Sequence, residues 1–299
     1  MALRNLDEIF KEHPDNDKVL YHYTGLAGLY GILRSGEIWA FHSQYLNDSE
    51  EYNCAIELCK RHIESRIKDK RDQDIKGQLE WMRDLPEEVS KDAYVFVFSL
   101  SEADDSLPQW RAYGDSGGCF AIGFDPEELK TVVDKRIEET EYNIRMGRCR
   151  YGKLEQNRIA KLIVAQAVQK HIGDGPAGRG DKSSCQVNFA VSLHEFAPII
   201  KHGSFKDEQE WRVIIGPISE RNEFVDFRPG KSMLRPYYKL SLKNKNKNDK
   251  GLLPIKRIVI GPTPHSKQSR SSVKGFLKKL GYRDSAVEVS ETNVPYRDW

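Results

Sequence analysis

Three polar blocks stand out in the chain because each adjoins a stretch patterned as a β-strand, where a side chain can be aimed rigidly into a cleft. They are His22-Tyr23-Thr24, Ser99-Leu100-Ser101, and Glu208-Gln209-Glu210 followed at once by Trp211-Arg212. Trp110, Arg111 and Tyr113 form an aromatic and cationic set between the second and third. At a strand end, residues two apart share a face, so Glu208 and Glu210 are expected to project together, as are Ser99 and Ser101. Two neighbouring carboxylates can divide labour. One binds a ribose hydroxyl and stabilises positive charge developing on an oxocarbenium-like sugar, while the other positions a nucleophile. An imidazole can hydrogen-bond a ribose or phosphate, and aromatic faces can stack on nicotinamide or adenine.

Each block alone has an ordinary structural reading. A histidine beside a strand is often simply hydrogen-bonded, strand serines are usually neighbours of the core, and an E-x-E pair is commonly surface charge. Their combination beside strongly β-patterned segments is what points to a ligand site.

Other chemistry finds less support. Asp125 with Glu128-Leu129-Lys130 imitates the E-x-K of a metal-dependent nuclease, but follows Pro126 on an expected helix, with no second acidic cluster for two metals. The sequence has neither a G-x-x-x-x-G-K-[ST] loop nor an H-E-x-x-H zinc motif. Asp115-Ser116-Gly117-Gly118 reads as a tight turn without a catalytic triad around it. A non-enzymatic module that senses a nucleotide is the rival from a different class, since it would need the same His, Tyr, Trp and Arg residues.

The elements that must position these groups follow from periodicity. A strand at about Val19 to Tyr23 runs into Thr24 as helix N-cap, and Leu26, Leu29, Ile32 and Leu33 then repeat at helical spacing as far as Gly36. A short strand near Glu37 to Phe41 precedes Leu46-Asn47-Asp48-Ser49-Glu50, expected to cap a helix carrying Ile56, Cys59, Ile63 and Ile67. Residues 64 to 92 read as a solvated helical hairpin. Tyr94 to Ser101 reads as a central strand, and Ser106 with Pro108 opens a short helix holding Gln109 to Tyr113. Cys119 to Phe124 is a strand, and Asp125-Pro126 opens a further helix.

The middle, from about Lys153 to Lys201, is expected to be helical around a Gly-rich loop at Gly173 to Gly180. Strands then dominate at Trp211 to Ile215, Glu223 to Phe227, Tyr237 to Leu242 and Ile255 to Ile260. A basic helix from about Ser266 to Leu280 and a strand at Val287 to Ser290 follow. These elements predict a single α+β domain over 1–299 with a helical insertion at about 126–204.

The blocks Tyr21-His-Tyr-Thr24, Leu46-Asn-Asp-Ser-Glu50, Phe98-Ser-Leu-Ser-Glu102, Asp105 through Gly114, Gly123-Phe-Asp125, Phe205 through Arg212, Gly261-Pro262 and Ser290 through Arg297 resemble those of a bacterial domain-of-unknown-function family, number 2971. More distantly, His22, Ser99 with Ser101, and Glu208 with Glu210 occur in the order found in the ADP-ribosyltransferase superfamily. That resemblance implies a mixed, largely antiparallel central sheet and NAD as substrate without a metal. By it, Glu210 would be the catalytic carboxylate and Glu208 would orient the acceptor. His22 would bind NAD, Ser99 and Ser101 would support the binding strand, and Tyr23, Thr24, Trp110, Arg111 and Tyr113 would complete the pocket. A toxin or antiphage effector acting on nucleic acid or protein would fit such an activity.

Composition sets bounds on all of this. With 299 residues, 38% of them hydrophobic and 31% charged, the chain is long and apolar enough to bury a real core. The five cysteines are scattered without a C-x-x-C pair, which suggests reduced thiols and not a disulfide framework. Met1 to Lys11 reads as an amphipathic helix without the apolar core of a secretion signal, and the longest apolar runs are strand-sized, so a cytoplasmic protein is expected.

The net charge of +2 conceals an asymmetry: the stretch 229–283 holds fifteen Lys or Arg and one acidic residue, Asp249. Lys243, Lys245, Lys247, Lys274 and Lys278 are its candidate contacts to nucleic acid.

Overall fold

Val, Ile, Phe and Tyr dominate the strand-patterned segments, and in the computed structural model these segments join in one ten-stranded sheet. The structure describes residues 5–15, 18–45, 50–85, 94–114, 118–140, 143–173, 182–230, 232–243 and 252–295. The expected cap 46–49, the turn at 115–117, most of the Gly-rich loop, and Lys245 and Lys247 therefore lie outside the described residues.

In chain order the elements are β1 (Leu20–Gly25), α1 (Leu26–Ser35), β2 (Glu37–His42), α2 (Glu50–Ile67), α3 (Lys76–Arg83), β3 (Tyr94–Ser101), α4 (Leu107–Tyr113), β4 (Cys119–Phe124) and α5 (Pro126–Glu139). There follow β5 (Ile144–Arg148), α6 (Lys153–Gly173), α7 (Lys182–Phe196), β6 (Glu210–Ile218), β7 (Val225–Pro229), β8 (Leu234–Ser241), β9 (Ile255–Ile260), α8 (Ser266–Leu280) and β10 (Glu288–Glu291).

The sheet runs β10-β9-β4-β1-β3-β2-β8-β7, with β6 and then β5 branching from β3. Among the described strands β9 and β10 pair in parallel and the other pairs are antiparallel, so the sheet is mixed and largely antiparallel. Strand β3 is its centre. One edge pairs with β6 from Tyr94 to Ser101, while the other is shared: Ser101 meets Tyr21 of β1, and Phe96 and Val97 meet β2. The sheet therefore forks between β1 and β2.

Alternation along the strands divides the core into two faces. Phe96, Phe98 and Leu100 of β3 pack with Trp211 and Val213 of β6 against α1, α5 and α8. Val95 and Ile214 face the other way, onto α2, α3, α6 and α7. On that second side a smaller cluster joins Tyr21, Tyr23, Trp110, Cys119, Ala121 and Val259.

Several expectations are corrected. The insertion expected at 126–204 is not wholly helical, because Ile144–Arg148 forms β5 on the free edge of β6. The N-cap of α1 is Gly25 and not Thr24, since the β1–β4 ladder continues to the pair Gly25 and Cys119. The helix then ends at Gly36, whose φ of 72° is a conformation glycine adopts without strain. The helix expected over Met1 to Lys11 is described from Leu6 to Lys11, where it is a 3-10 helix burying Leu6 and Ile9. The hairpin expected at 64–92 is not merely solvated, since Leu79 and Met82 of α3 are buried in the core. Asp125 does open α5 as expected, its carboxylate accepting from the Glu128 amide at 2.9 Å with Pro126 in the first turn.

Candidate functional site

The strands carrying the three polar blocks are neighbours: β1, β3 and β6 lie side by side. Tyr21, Ser101 and Glu210 align across them in one row, and Ser99 stands opposite Arg212. Residues aligned in this way share a face, so Ser99, Ser101, Glu210 and Arg212 point together towards α7 and the segment after it. His22 is one residue out of phase with Tyr21 and lies on the opposite face, stacked on Phe98 with ring centroids 4.2 Å apart.

Glu210 is the centre of a buried ion cluster. Its Oε1 accepts from Arg212 Nε at 2.8 Å, and its Oε2 accepts from Arg212 Nη2 at 3.0 Å and from Lys201 Nζ at 2.7 Å. Cys149 Sγ also approaches Oε2, at 3.6 Å, and the Glu210 amide donates to the Tyr151 hydroxyl at 2.9 Å. Glu210, Arg212 and Lys201 are all buried.

The expected strand-end pairing of the two glutamates does not occur. Gln209 has a φ of 46°, which ends the 3-10 helix Gly203–Glu208 and starts β6 only at Glu210. Glu208 therefore comes from a turn. Lys201 reunites the pair, its Nζ lying 2.5 Å from Glu208 Oε2 as well as beside Glu210. Ser101 fixes that turn, donating to the Glu208 carbonyl at 2.7 Å and accepting from the Ala103 amide at 3.0 Å.

Burial alone would raise the Glu210 pKa, but Arg212 and Lys201 reverse the effect and hold it at about 2. Burial would likewise lower Lys201, yet the attraction of Glu210, with hydrogen bonds to both glutamates, keeps it above the ordinary lysine value. Because the Glu210 pKa is lower folded than unfolded, its contribution to stability is complete above the ordinary carboxylate pKa and is lost as pH falls towards about 2.

His22 adds an earlier step. Burial lowers its pKa to about 4, only partly opposed by the hydrogen bond to Ser99, so the unfolded chain takes up a proton first as pH falls below the ordinary histidine value. Melting temperature is expected to decline from about pH 6.5 down to pH 4 and again below about pH 4.5. Burial lowers His42 to about 4 as well, so replacing His22 with glutamine should shrink the first decline without abolishing it; an unchanged profile would show that His22 does not contribute.

His22 sits at the fork. Its Nδ1–H donates to the Ser99 carbonyl at 3.0 Å, on the part of the β3 edge that neither β1 nor β2 covers. Tyr23 and Trp110, expected to complete the pocket, are buried. The Tyr23 hydroxyl donates to Ala103 O at 2.7 Å and accepts from Ser106 N at 3.2 Å, while its ring meets Trp110 edge-on at 4.7 Å. Trp110 Nε1 donates to Asp105, whose carboxylate also holds Thr292 and the Asn293 amide. Thr24 lies over Gly28 in the first turn of α1, where a Cβ would stand 1.9 Å from its Oγ1.

The accessible part of the site is its rim. Glu208 has 28% of its side chain exposed, and Phe205 and Tyr113 are 37% and 43% exposed. Phe205 lies 5.0 Å from Lys201 Nζ. Desolvation, followed by the Glu210 and Glu208 carboxylates, raises the Tyr113 phenol above its ordinary pKa, which ties this residue to the cluster electrostatically. Arg111 is exposed on the same short helix.

A 580 Å³ cleft also lies beside Gln209, lined among others by Lys18, Tyr21, Glu102, Lys256 and Arg257. The Glu102 carboxylate there binds Lys18 at 2.6 Å and Trp211 Nε1 at 2.8 Å.

Lys201, Arg212, Cys149, Tyr151 and Phe205 were not among the expected site residues. Arg212 could have been found, since it shares a strand face with Glu210; Lys201 follows the apolar run Phe196 to Ile200 with no local sign of a partner.

Elsewhere, the E-x-K imitation is accounted for by helix structure. Asp125 is a helix cap paired with Lys256 at 2.6 Å, and Lys130 pairs with Asp134. Among the described residues no group of three or more His, Cys, Asp or Glu side chains could hold a metal ion. Lys243, Lys274 and Lys278 are exposed, the last two on α8.

Residues 109–213 match the family model described as a protein of unknown function, DUF2971. The DUF2971 segment begins in α4 and ends on β6, so it carries Trp110, Tyr113, Lys201, Glu208, Glu210 and Arg212, whereas His22, Ser99 and Ser101 precede it. It is narrower than the resemblance drawn from blocks between Tyr21 and Arg297. No curated protein and no solved structure matches the chain. Among the described residues no helix is long and apolar enough to cross a membrane.

Proposed function

We propose that this site binds NAD and cleaves it, as an ADP-ribosyltransferase-like effector of the toxin or antiphage kind. The observation that carries the reading is the adjacency of β3 and β6, which sets the Ser-x-Ser strand beside the glutamate strand, with Ser101 holding the turn that presents Glu208; His22 of the neighbouring β1 faces the other side of the sheet.

In this reading the bond between nicotinamide and C1′ breaks heterolytically and nicotinamide leaves with the electron pair. A carboxylate stabilises the cationic sugar until water or an acceptor attacks C1′ and loses a proton. Glu208 is the carboxylate within reach, and Glu210 holds Lys201 against it, so the roles expected of the two glutamates exchange. Tyr113 and Phe205 offer aromatic faces at the rim.

The test follows nicotinamide release and label transfer when the purified protein meets adenylate-labelled NAD with DNA, RNA or cell lysate. Glu208→Gln is expected to cut release by about 100-fold or more while the fold persists. The labelled fraction would reveal the acceptor, and release without labelling would mean hydrolysis. Release unaffected by Glu208→Gln would remove its catalytic role. Binding without release would favour a nucleotide sensor, a reading supported by the four donors already surrounding Glu210.

A further inference from the structure

On the other branch of the fork, β2, β8 and β7 form an antiparallel ladder whose inner face, with Ile38, Ala40, Tyr238 and Leu240, belongs to the core. Alternation turns Trp39 and Phe41 of β2, Arg235, Tyr237 and Lys239 of β8, and Asp226 and Arg228 of β7 to the outer face. Trp39 is 38% exposed and lies flat on the buried Tyr237, with centroids 4.3 Å apart.

Arg228 and Arg235 stand directly opposite each other across β7 and β8. Both guanidinium groups lie over Phe41, at 4.5 and 5.0 Å, and Arg228 also approaches Trp39 at 5.9 Å. Like charges facing each other across strands are destabilising, and here no carboxylate is paired with either arginine among the described residues. Among the described residues the Nε atoms of both are buried without a hydrogen-bond partner, and Arg235 Nη2 donates to the Tyr45 carbonyl at 2.7 Å. The acidic groups nearby serve Lys239: Asp226 pairs with it at 2.5 Å, and Glu37 adds to its field. Lys243, two residues past the end of β8, is exposed, and Lys245 and Lys247 follow it in sequence.

We propose that this face binds single-stranded nucleic acid, with a phosphate bridging Arg228 and Arg235 and an unpaired base stacked on Trp39. A bridging anion turns the opposed guanidinium groups from a repulsive pair into a chelate for phosphate oxygens. An exposed aromatic on a sheet face is reached by the splayed bases of a single strand and not by bases stacked inside a duplex. The inference goes beyond the NAD reading and does not depend on it.

Fluorescence anisotropy of the full chain with labelled single-stranded DNA and RNA and the matching duplex, over a salt series and without NAD, tests it. Wild type is expected to prefer single strands by about 10-fold or more, because stacking adds to phosphate binding. Arg228→Ala with Arg235→Ala should weaken binding by at least about 10-fold and reduce the slope of log K against log salt by about 0.7, for the one bridged phosphate no longer neutralised. Its melting temperature should hold or rise, since a like-charge pair is removed; a purely structural role would lower it. Trp39→Leu should weaken binding by about 10-fold at every salt concentration with the slope unchanged. Equal affinity for duplex, an unchanged slope in the double arginine variant, or binding of inorganic phosphate but no oligonucleotide would overturn the proposal. Because NAD is absent, none of these outcomes bears on nicotinamide release.

Discussion

Glu210→Gln is expected to cost about 3–5 kcal/mol of folding stability, because it leaves Lys201 and Arg212 buried beside each other with one compensating charge removed. Denaturant melts of the single variant and of Glu210→Gln combined with Arg212→Met make the test. The double variant should recover part of the loss, since it removes a cation together with the anion that balanced it. A single variant within about 0.5 kcal/mol of wild type would mean that Glu210 is not a structural anchor. The carboxylate would then be available to a ligand, as the sequence resemblance implies.

The second large effect concerns Trp110. Trp110→Ala should cost about 3–5 kcal/mol, because the indole is buried against Tyr23 and Gly261 and its Nε1 is bonded to Asp105. Gly261 is part of that fit: a Cβ there would lie 2.8 Å from the indole ring and 2.8 Å from the Cys119 carbonyl. Asp105→Asn should lose less, about 1–3 kcal/mol, by weakening the bonds to Thr292 and Asn293. Thermal melts of both variants check this. Wild-type stability in Trp110→Ala, together with weaker ligand binding, would return the indole to the role of a stacking platform.

The sequence revealed most of what repeats along the chain. Tyr94–Ser101 is legible as a central strand because β-branched and aromatic residues fill it, and α8 shows as a helix because Val273 and Leu277 recur on one side. Ile144–Arg148 was missed because Ile-Arg-Met-Gly-Arg has little strand character alone and is a strand only by pairing with β6. Alternation placed Ser99 and Ser101 on one face correctly, but failed for Glu208 and Glu210, since the left-handed backbone of Gln209 breaks the strand between them. The polar blocks were visible. Which of their members are buried was not, because burial of Tyr23, Trp110 and Glu210 depends on partners far away in sequence, such as Lys201 and Thr292.

The fork at β3 also bears on how the chain reaches this state. Strand β3 can find β1 and β2 early in synthesis, but its longest edge waits for β6, more than a hundred residues further on. Until then Ser101 lacks the Glu208 carbonyl, and the edge of β3 is open to pairing with another chain. Closing so distant a junction makes the meeting of β3 and β6 a slow step of folding, and intermediates that pause there would be the ones prone to aggregate.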